Sequence, residues 1–189
     1  QMIPIIAHQA RHLTVFQRTA NFSLPARNGP MTPEREGPHK AEYPARRAAA
    51  QETPFAIGGY PRPTRKTLEV PADERARTYE AKWQEGGSIS YLYSYTDLLV
   101  DKDANDTASE FVRNKIRGMV KDRKTAELLA PKDHPIGTKR LCLDTNYYET
   151  YNRPNVSLVD VRSDPIQEIT ATGLRLKSGA EYEVDALVF

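Results

Sequence analysis

The 189 residues carry 27 Lys+Arg against 25 Asp+Glu, a formal charge of +2, with 39% apolar and 28% charged residues. That balance belongs to a globular chain of one domain or one and a half, long enough to bury roughly 70% of its unfolded surface. It argues against a general nucleic-acid or membrane-surface binder. No apolar run reaches the ~18 residues of a membrane span, and the lone Cys142 excludes an internal disulfide framework or a cysteine-based metal cluster. The expected setting is reducing and cytoplasmic.

The chain opens on Gln1-Met2-Ile3-Pro4-Ile5-Ile6-Ala7. Ile3, Ile6 and Ala10 lie at helical spacing, with no N-cap ahead and none of the marks of a signal peptide. Leu13-Thr14-Val15-Phe16 follows as a β-favouring run fit for a buried strand, and Gln17-Arg18-Thr19 sits at its C-terminal end. Residues 25–71 hold nine of the fourteen prolines, which predicts an irregular connection with one short helix over 41–51. A disordered linker is the alternative there, against which Phe22, Tyr43, Phe55 and Tyr60 offer burial points.

Residues 72–130 lack proline. Ala72, Ala76, Tyr79 and Trp83 form one helical stripe, ended by Gly86-Gly87. Residues 91–100 read as a second helix. Thr107-Ala108-Ser109-Glu110 matches a capping box, continued by Val112, Ile116, Met119 and Val120, and a short helix is expected over 125–129. From residue 155 the period changes to short strands at 156–161, 166–169, 174–176 and 182–184, separated by Thr172-Gly173 and Ser178-Gly179. The closing Ala186-Leu187-Val188-Phe189 reads as a buried strand with nothing after it, so both ends suggest an internal segment of a longer protein. The fold class expected is α/β: a partial Rossmann-like nucleotide-binding domain interrupted by a helical subdomain, with a C-terminal β-meander.

Four residues stand out chemically. In a dinucleotide fold the tip of the second strand faces the adenosine ribose; a carboxylate there suits NAD, and an arginine suits the 2′-phosphate of NADP. Arg18 and Thr19 occupy that tip with no carboxylate in the run, although an arginine after a strand is commonly just solvated. Lys139 and Arg140 lie in Pro135-Ile136-Gly137-Thr138-Lys139-Arg140-Leu141, the loop returning from the helical unit. Buried, they would need an anion; a surface basic pair is the plainer alternative. His8, His12, His39 and His134 show no metal-ligand spacing, and Cys142 between two leucines reads as a buried thiol. The Arg113, Arg117 and Lys121 stripe reads as a solvated helix face, and the tyrosines at 91–95 and 147–151 as packing residues. No GxGxxG occurs.

Six ordered blocks carry a resemblance. They are Val15-Phe16-Gln17-Arg18-Thr19, Pro25-Ala26-Arg27-Asn28, Trp83-Gln84-Glu85-Gly86-Gly87, Gly137-Thr138-Lys139-Arg140-Leu141, Tyr147-Tyr148-Glu149-Thr150-Tyr151-Asn152-Arg153 and Val156-Ser157-Leu158-Val159-Asp160. Together they resemble the Baeyer–Villiger monooxygenases, flavoproteins using FAD and NADPH. Asp103-Ala104-Asn105 and Glu110-Phe111-Val112-Arg113-Asn114-Lys115-Ile116-Arg117 look most like the phenylacetone and steroid monooxygenase branch.

The resemblance implies a parent that converts ketones and molecular oxygen to esters or lactones through a C4a-peroxyflavin. It implies an NADP-binding domain over 1–26 and 134–189, with a helical insertion over 27–133. It further implies that Arg18, Thr19 and Lys139 bind the NADP 2′-phosphate region, and that Arg140 is the catalytic arginine stabilising anionic oxygen near the flavin. The family's Gly-rich loops and its fingerprint motif are absent, so the isolated segment is expected to be catalytically silent. An N- or S-oxidising flavin monooxygenase and a non-enzymatic helical interaction module are the alternatives.

Overall fold

The computed structural model describes residues 2–53 and 60–189. In chain order its elements are α1 (Met2–Gln9), β1 (Leu13–Gln17), β2 (Ser23–Pro25), α2 (Pro33–Ala41), α3 (Tyr43–Gln51), α4 (Ala72–Glu85), α5 (Ser88–Leu92), α6 (Lys102–Met119) and α7 (Arg123–Leu129). They continue as β3 (Cys142–Asp144), α8 (Tyr147–Thr150), β4 (Val156–Asp160), β5 (Ile166–Ile169), β6 (Gly173–Leu176) and β7 (Glu181–Glu183). The mixed helix-and-strand class is the expected one. Two compact units share these elements. One comprises Gln1–Phe22, Arg113–Asp133 and Asn146–Phe189; the other comprises Ser23–Val112 and His134–Thr145. Among the described residues no helix is long and apolar enough to cross a membrane.

The first unit is organised on β1, which pairs in parallel with β4, Leu13 opposite Val156 and Gln17 opposite Asp160. The Asn155 side-chain amide donates to the carbonyl of Ala7, in the last turn of α1, and to that of Ala10 just beyond it. Val120, Ala126 and Leu129 are buried where α7 follows α6, and Asp122 caps α7 by accepting from the Thr125 amide at 2.7 Å. β5, β6 and β7 form an antiparallel sheet in sequence order, burying Leu174 and Leu176. Tyr182 of β7 meets Phe16 of β1 edge-on, with centroids 5.1 Å apart.

The second unit is built on aromatic rings. Tyr79 of α4 lies 5.6 Å from Tyr91, 5.8 Å from Tyr95 and 5.6 Å from Phe111, centroid to centroid. Burying each large apolar side chain contributes roughly 1.5–3 kcal/mol. The hydroxyls are served as well: Tyr91 donates to the Ala108 carbonyl at 2.8 Å, and Tyr79 bonds Thr107 at 2.8 Å. β2 and β3 pair in parallel, Ser23 opposite Cys142.

Several expectations change. The stretch 91–100 is not one helix: α5 ends at Leu92. The Ser94 hydroxyl bonds the Tyr91 carbonyl, and Asp97 accepts from both the amide and the hydroxyl of Thr67, so local side chains take over from the helical ladder. α6 starts at Lys102, ahead of the predicted capping box. Asp101 accepts the Ala104 amide instead, and Thr107 bonds back to the Ala104 carbonyl.

In α4 only Tyr79 and Trp83 of the predicted stripe are buried; Ala72 and Ala76 face water. The proline-rich region holds two helices, α2 as well as α3, both without a buried residue. Of the four burial points, Phe22 is buried, Tyr60 half-buried and Tyr43 exposed, while Phe55 lies outside the described residues. β1 is half-buried along its length rather than buried. The closing 186–189 run forms no strand, and Val188 and Phe189 are exposed. Among the described residues no neighbouring strand takes up its amides and carbonyls, and an apolar run becomes a strand only with such a partner.

Candidate functional site

The first candidate pair lies where β1 ends. The parallel ladder with β4 closes there, as the Val161 amide donates to the Gln17 carbonyl at 3.0 Å. The Gln17 side chain donates to the Leu128 carbonyl at 2.8 Å, which fixes the last strand residue. Beyond it Arg18 is exposed and Thr19 half-buried. Among the described residues no carboxylate pairs with Arg18.

Sequence inspection missed one feature of this end. Asp160 of β4 stands in register with Gln17, so a carboxylate does reach the same edge, from the neighbouring strand. It accepts the Arg162 amide at 2.9 Å, and that hydrogen bond, first among its contacts, lowers its pKa. Only knowledge of the strand pairing could have revealed it.

Lys139 and Arg140 belong to the second unit. Their loop is pinned at both ends, by the fully buried Ile136 and by Leu141, with Thr138, Lys139 and Arg140 exposed between them. Gly137 takes φ +89°, a backbone conformation that strains any residue with a side chain, so the turn favours glycine. The Thr138 hydroxyl donates to the Pro135 carbonyl at 2.8 Å. After Leu141 the chain enters β3, whose pairing with β2 is reinforced by the Ser23 hydroxyl donating to Asp144 at 2.7 Å.

The basic pair is therefore solvent-facing, and no anion is needed to offset burial. Cys142 is exposed, which corrects the expectation of a buried thiol. The two-strand β2–β3 ladder leaves its edge residues open, and Leu143 is exposed with it.

The other singled-out residues are structural. Arg113 donates to the Pro131 carbonyl at 2.6 Å and stands 5.8 Å from the centroid of the Phe22 ring. Arg117 bonds Glu127 at 2.7 Å, so this helix face is more than solvated. His8 contacts Arg153 and His12 contacts Ser157. Among the described residues no group of three or more His, Cys, Asp or Glu is placed to hold a metal ion. A buried polar pair also escaped the sequence reading: Asn105 and Ser109 bond the backbone of Ile136, at the root of the Lys139–Arg140 loop. Their signal is two polar residues one turn apart on the face of α6 that buries Ala104, Ala108 and Val112.

No protein-family model matches the chain. The 2-oxo-Delta(3)-4,5,5-trimethylcyclopentenylacetyl-CoA monooxygenase of Pseudomonas putida is 42% identical over all of the chain and 34% of its own length. A Baeyer–Villiger monooxygenase of Pseudooceanicola batsensis is 40% identical over the same shares. The solved structure of an oxidised steroid monooxygenase bound to NADP superimposes with a TM-score of 0.91 at 47% identity, over 98% of this chain and 35% of that one. Over its whole length the chain is similar to one part of a Baeyer–Villiger monooxygenase. It spans about a third of the length of these relatives. The phenazine N-monooxygenase PhzNO1 of Lysobacter antibioticus is also similar, 37% identical over the whole chain and 35% of its own length. The Baeyer–Villiger likeness runs through both units, and so through both candidate pairs.

Proposed function

We propose that a full-length protein carrying this chain is an FAD- and NADPH-dependent Baeyer–Villiger monooxygenase acting in the cytoplasm. It converts a ketone, molecular oxygen, NADPH and a proton into an ester or lactone, NADP and water. The observation that carries this reading is the likeness along the whole chain, loop 135–141 included, to a Baeyer–Villiger monooxygenase and to other monooxygenases. In this reading residues 1–26 and 134–189 belong to the NADP-binding domain and residues 27–133 to a helical insertion.

The residues present fit a phosphate-bearing cofactor. Arg18 and Lys139 are exposed cations with no ion-pair partner among the described residues, so neither must break a protein contact to meet a phosphate. Arg18 offers the 2′-phosphate a planar pair of donors, Thr19 offers a hydroxyl beside it, and Lys139 adds a point charge. Bound NADPH and FAD together supply the electrons that activate oxygen. Arg140 holds a permanent positive charge where anionic oxygen develops, and that charge gains weight only where the rest of a full-length enzyme excludes water from it. The 189-residue segment by itself does not turn over.

N-oxidation is the second reading, favoured by the likeness to the Lysobacter enzyme. One experiment separates the two. Purified full-length enzyme is given NADPH, air and either a ketone panel or phenazine, with Arg140→Ala run in parallel. Ester or lactone from ketones, abolished in Arg140→Ala while flavin reduction by NADPH partly survives, is the expected outcome. N-oxide as the main product, or normal ester formation by Arg140→Ala, contradicts the assignment.

A further inference from the structure

The loop bearing Lys139 and Arg140 is fastened at its root by a buried side-chain amide of α6. Asn105 is 4% exposed, and Ser109, one turn further on, is fully buried. The Asn105 Nδ2 donates to the Ile136 carbonyl and to the Leu98 carbonyl, each at 2.8 Å. Its Oδ1 accepts the Ile136 amide and the Ser109 hydroxyl, each at 3.0 Å. Ser109 Oγ in turn lies 3.2 Å from the Ile136 nitrogen and shares that amide proton.

Both donors and both lone pairs of the Asn105 amide are thus used, and both backbone groups of Ile136 are held by side chains. Such a network costs much when half-made and orders its surroundings when complete. Asparagine is a poor residue for a helix interior, because its side chain competes for local backbone groups. On the buried face of α6 it instead closes a contact with a segment 31 residues further along the chain. Ile136 is followed at once by Gly137, which needs a positive φ, and then by the exposed Thr138-Lys139-Arg140. Leu141 and the β2–β3 pairing hold the far end.

We propose that Asn105, seconded by Ser109, is a positioning residue for Arg140 and Lys139. It fixes the root of their loop so that a four-residue span between two anchored ends presents the two cations in one arrangement. The inference rests on the role given to Arg140 above, and it adds a residue that touches neither substrate nor cofactor. A misplacement of about 1 Å in a catalytic group costs on the order of a hundredfold in rate, so a loosened root would be felt.

The test uses the full-length protein as wild type, Asn105→Asp, Ser109→Ala and Arg140→Ala. Asp keeps the shape of Asn but turns a carboxylate oxygen toward two carbonyls, and Ser109→Ala is the milder change. Amide hydrogen exchange without ligands is expected to quicken at least about tenfold across residues 136–141 in Asn105→Asp and to stay unchanged in β1. In the same folded variant kcat for ester formation should fall about a hundredfold, and NADPH should bind several-fold more weakly through Lys139. Ser109→Ala should show the same pattern to a smaller extent, and it decides alone if Asn105→Asp does not fold.

Unchanged exchange across 136–141 would overturn the proposal. So would faster exchange with wild-type kcat, which is what a purely structural amide gives. Should Arg140→Ala still form ester, the role of Arg140 fails, and the exchange profile then judges the clamp separately.

Discussion

Arg18 and Lys139 are exposed cations on different units, and each is expected to act on the cofactor rather than on stability. A hydrogen bond to a charged group contributes about 1.5–3 kcal/mol, so Arg18→Ala or Lys139→Ala should raise KM for NADPH roughly ten- to a hundredfold and leave KM for NADH nearly unchanged. Steady-state kinetics with both nucleotides checks this; equal loss with both would remove the 2′-phosphate assignment. Glu127 shows the opposite case, a charged residue with a structural task. Hydrogen bonds from Arg117 first and Lys132 second hold its carboxyl down to about 2, from an ordinary 4.5. Because the folded pKa is the lower one, the ionised carboxylate stabilises the fold above about pH 4.5, and that contribution fades as pH falls toward about 2. The side chain is about one-third exposed, so solvent screens the pair. Glu127→Gln should cost no more than about 1 kcal/mol at pH 7. Thermal midpoints of parent and variant should converge on acidification, and a constant gap would contradict the ion-pair origin.

At the scale of elements, glycines give the sharpest contrast. Gly86 ends α4 at φ +80°, and a Cβ there would sit 2.4 Å from Arg27 Cγ and 2.8 Å from the Pro25 carbonyl oxygen. Gly86→Ala should therefore destabilise by more than the roughly 1–3 kcal/mol of this glycine-favouring backbone conformation alone. Gly118, exposed inside α6 with nothing within 4 Å of its would-be Cβ, should gain up to about 1 kcal/mol as Ala. Denaturant midpoints of the two variants should move in opposite directions. Periodicity made α4, α7 and the strands from β4 to β7 legible, because each carries its own apolar pattern and turn residues. The three-residue β2 and β3 were not legible, since each exists only through its pairing with the other. The end of α5 at Leu92 was hidden for a related reason: Asp97 is claimed by Thr67, a contact across 30 residues that no local pattern announces.

Across the whole molecule, the ordered blocks of the family resemblance fall in both units, and the four proposed site residues divide between them, Arg18 and Thr19 in one and Lys139 and Arg140 in the other. The sequence singled out all four and offered solvent exposure of Arg18 and of the Lys139–Arg140 pair as the plainer alternative; which alternative holds depends on which segments fold over them. The Asn105–Ser109 clamp was out of reach, since its meaning lies in a loop that α6 meets only in three dimensions. The activity proposed for the full-length protein is oxygen insertion beside a ketone carbonyl, assisted by Arg140. The most direct measurement gives full-length wild type and Arg140→Ala a ketone and NADPH under ¹⁸O₂ and follows the product by mass spectrometry. Ester or lactone with a single label from wild type, and none from Arg140→Ala despite continued NADPH consumption, is the predicted result; unlabelled product, or equal labelled product from both proteins, would contradict it.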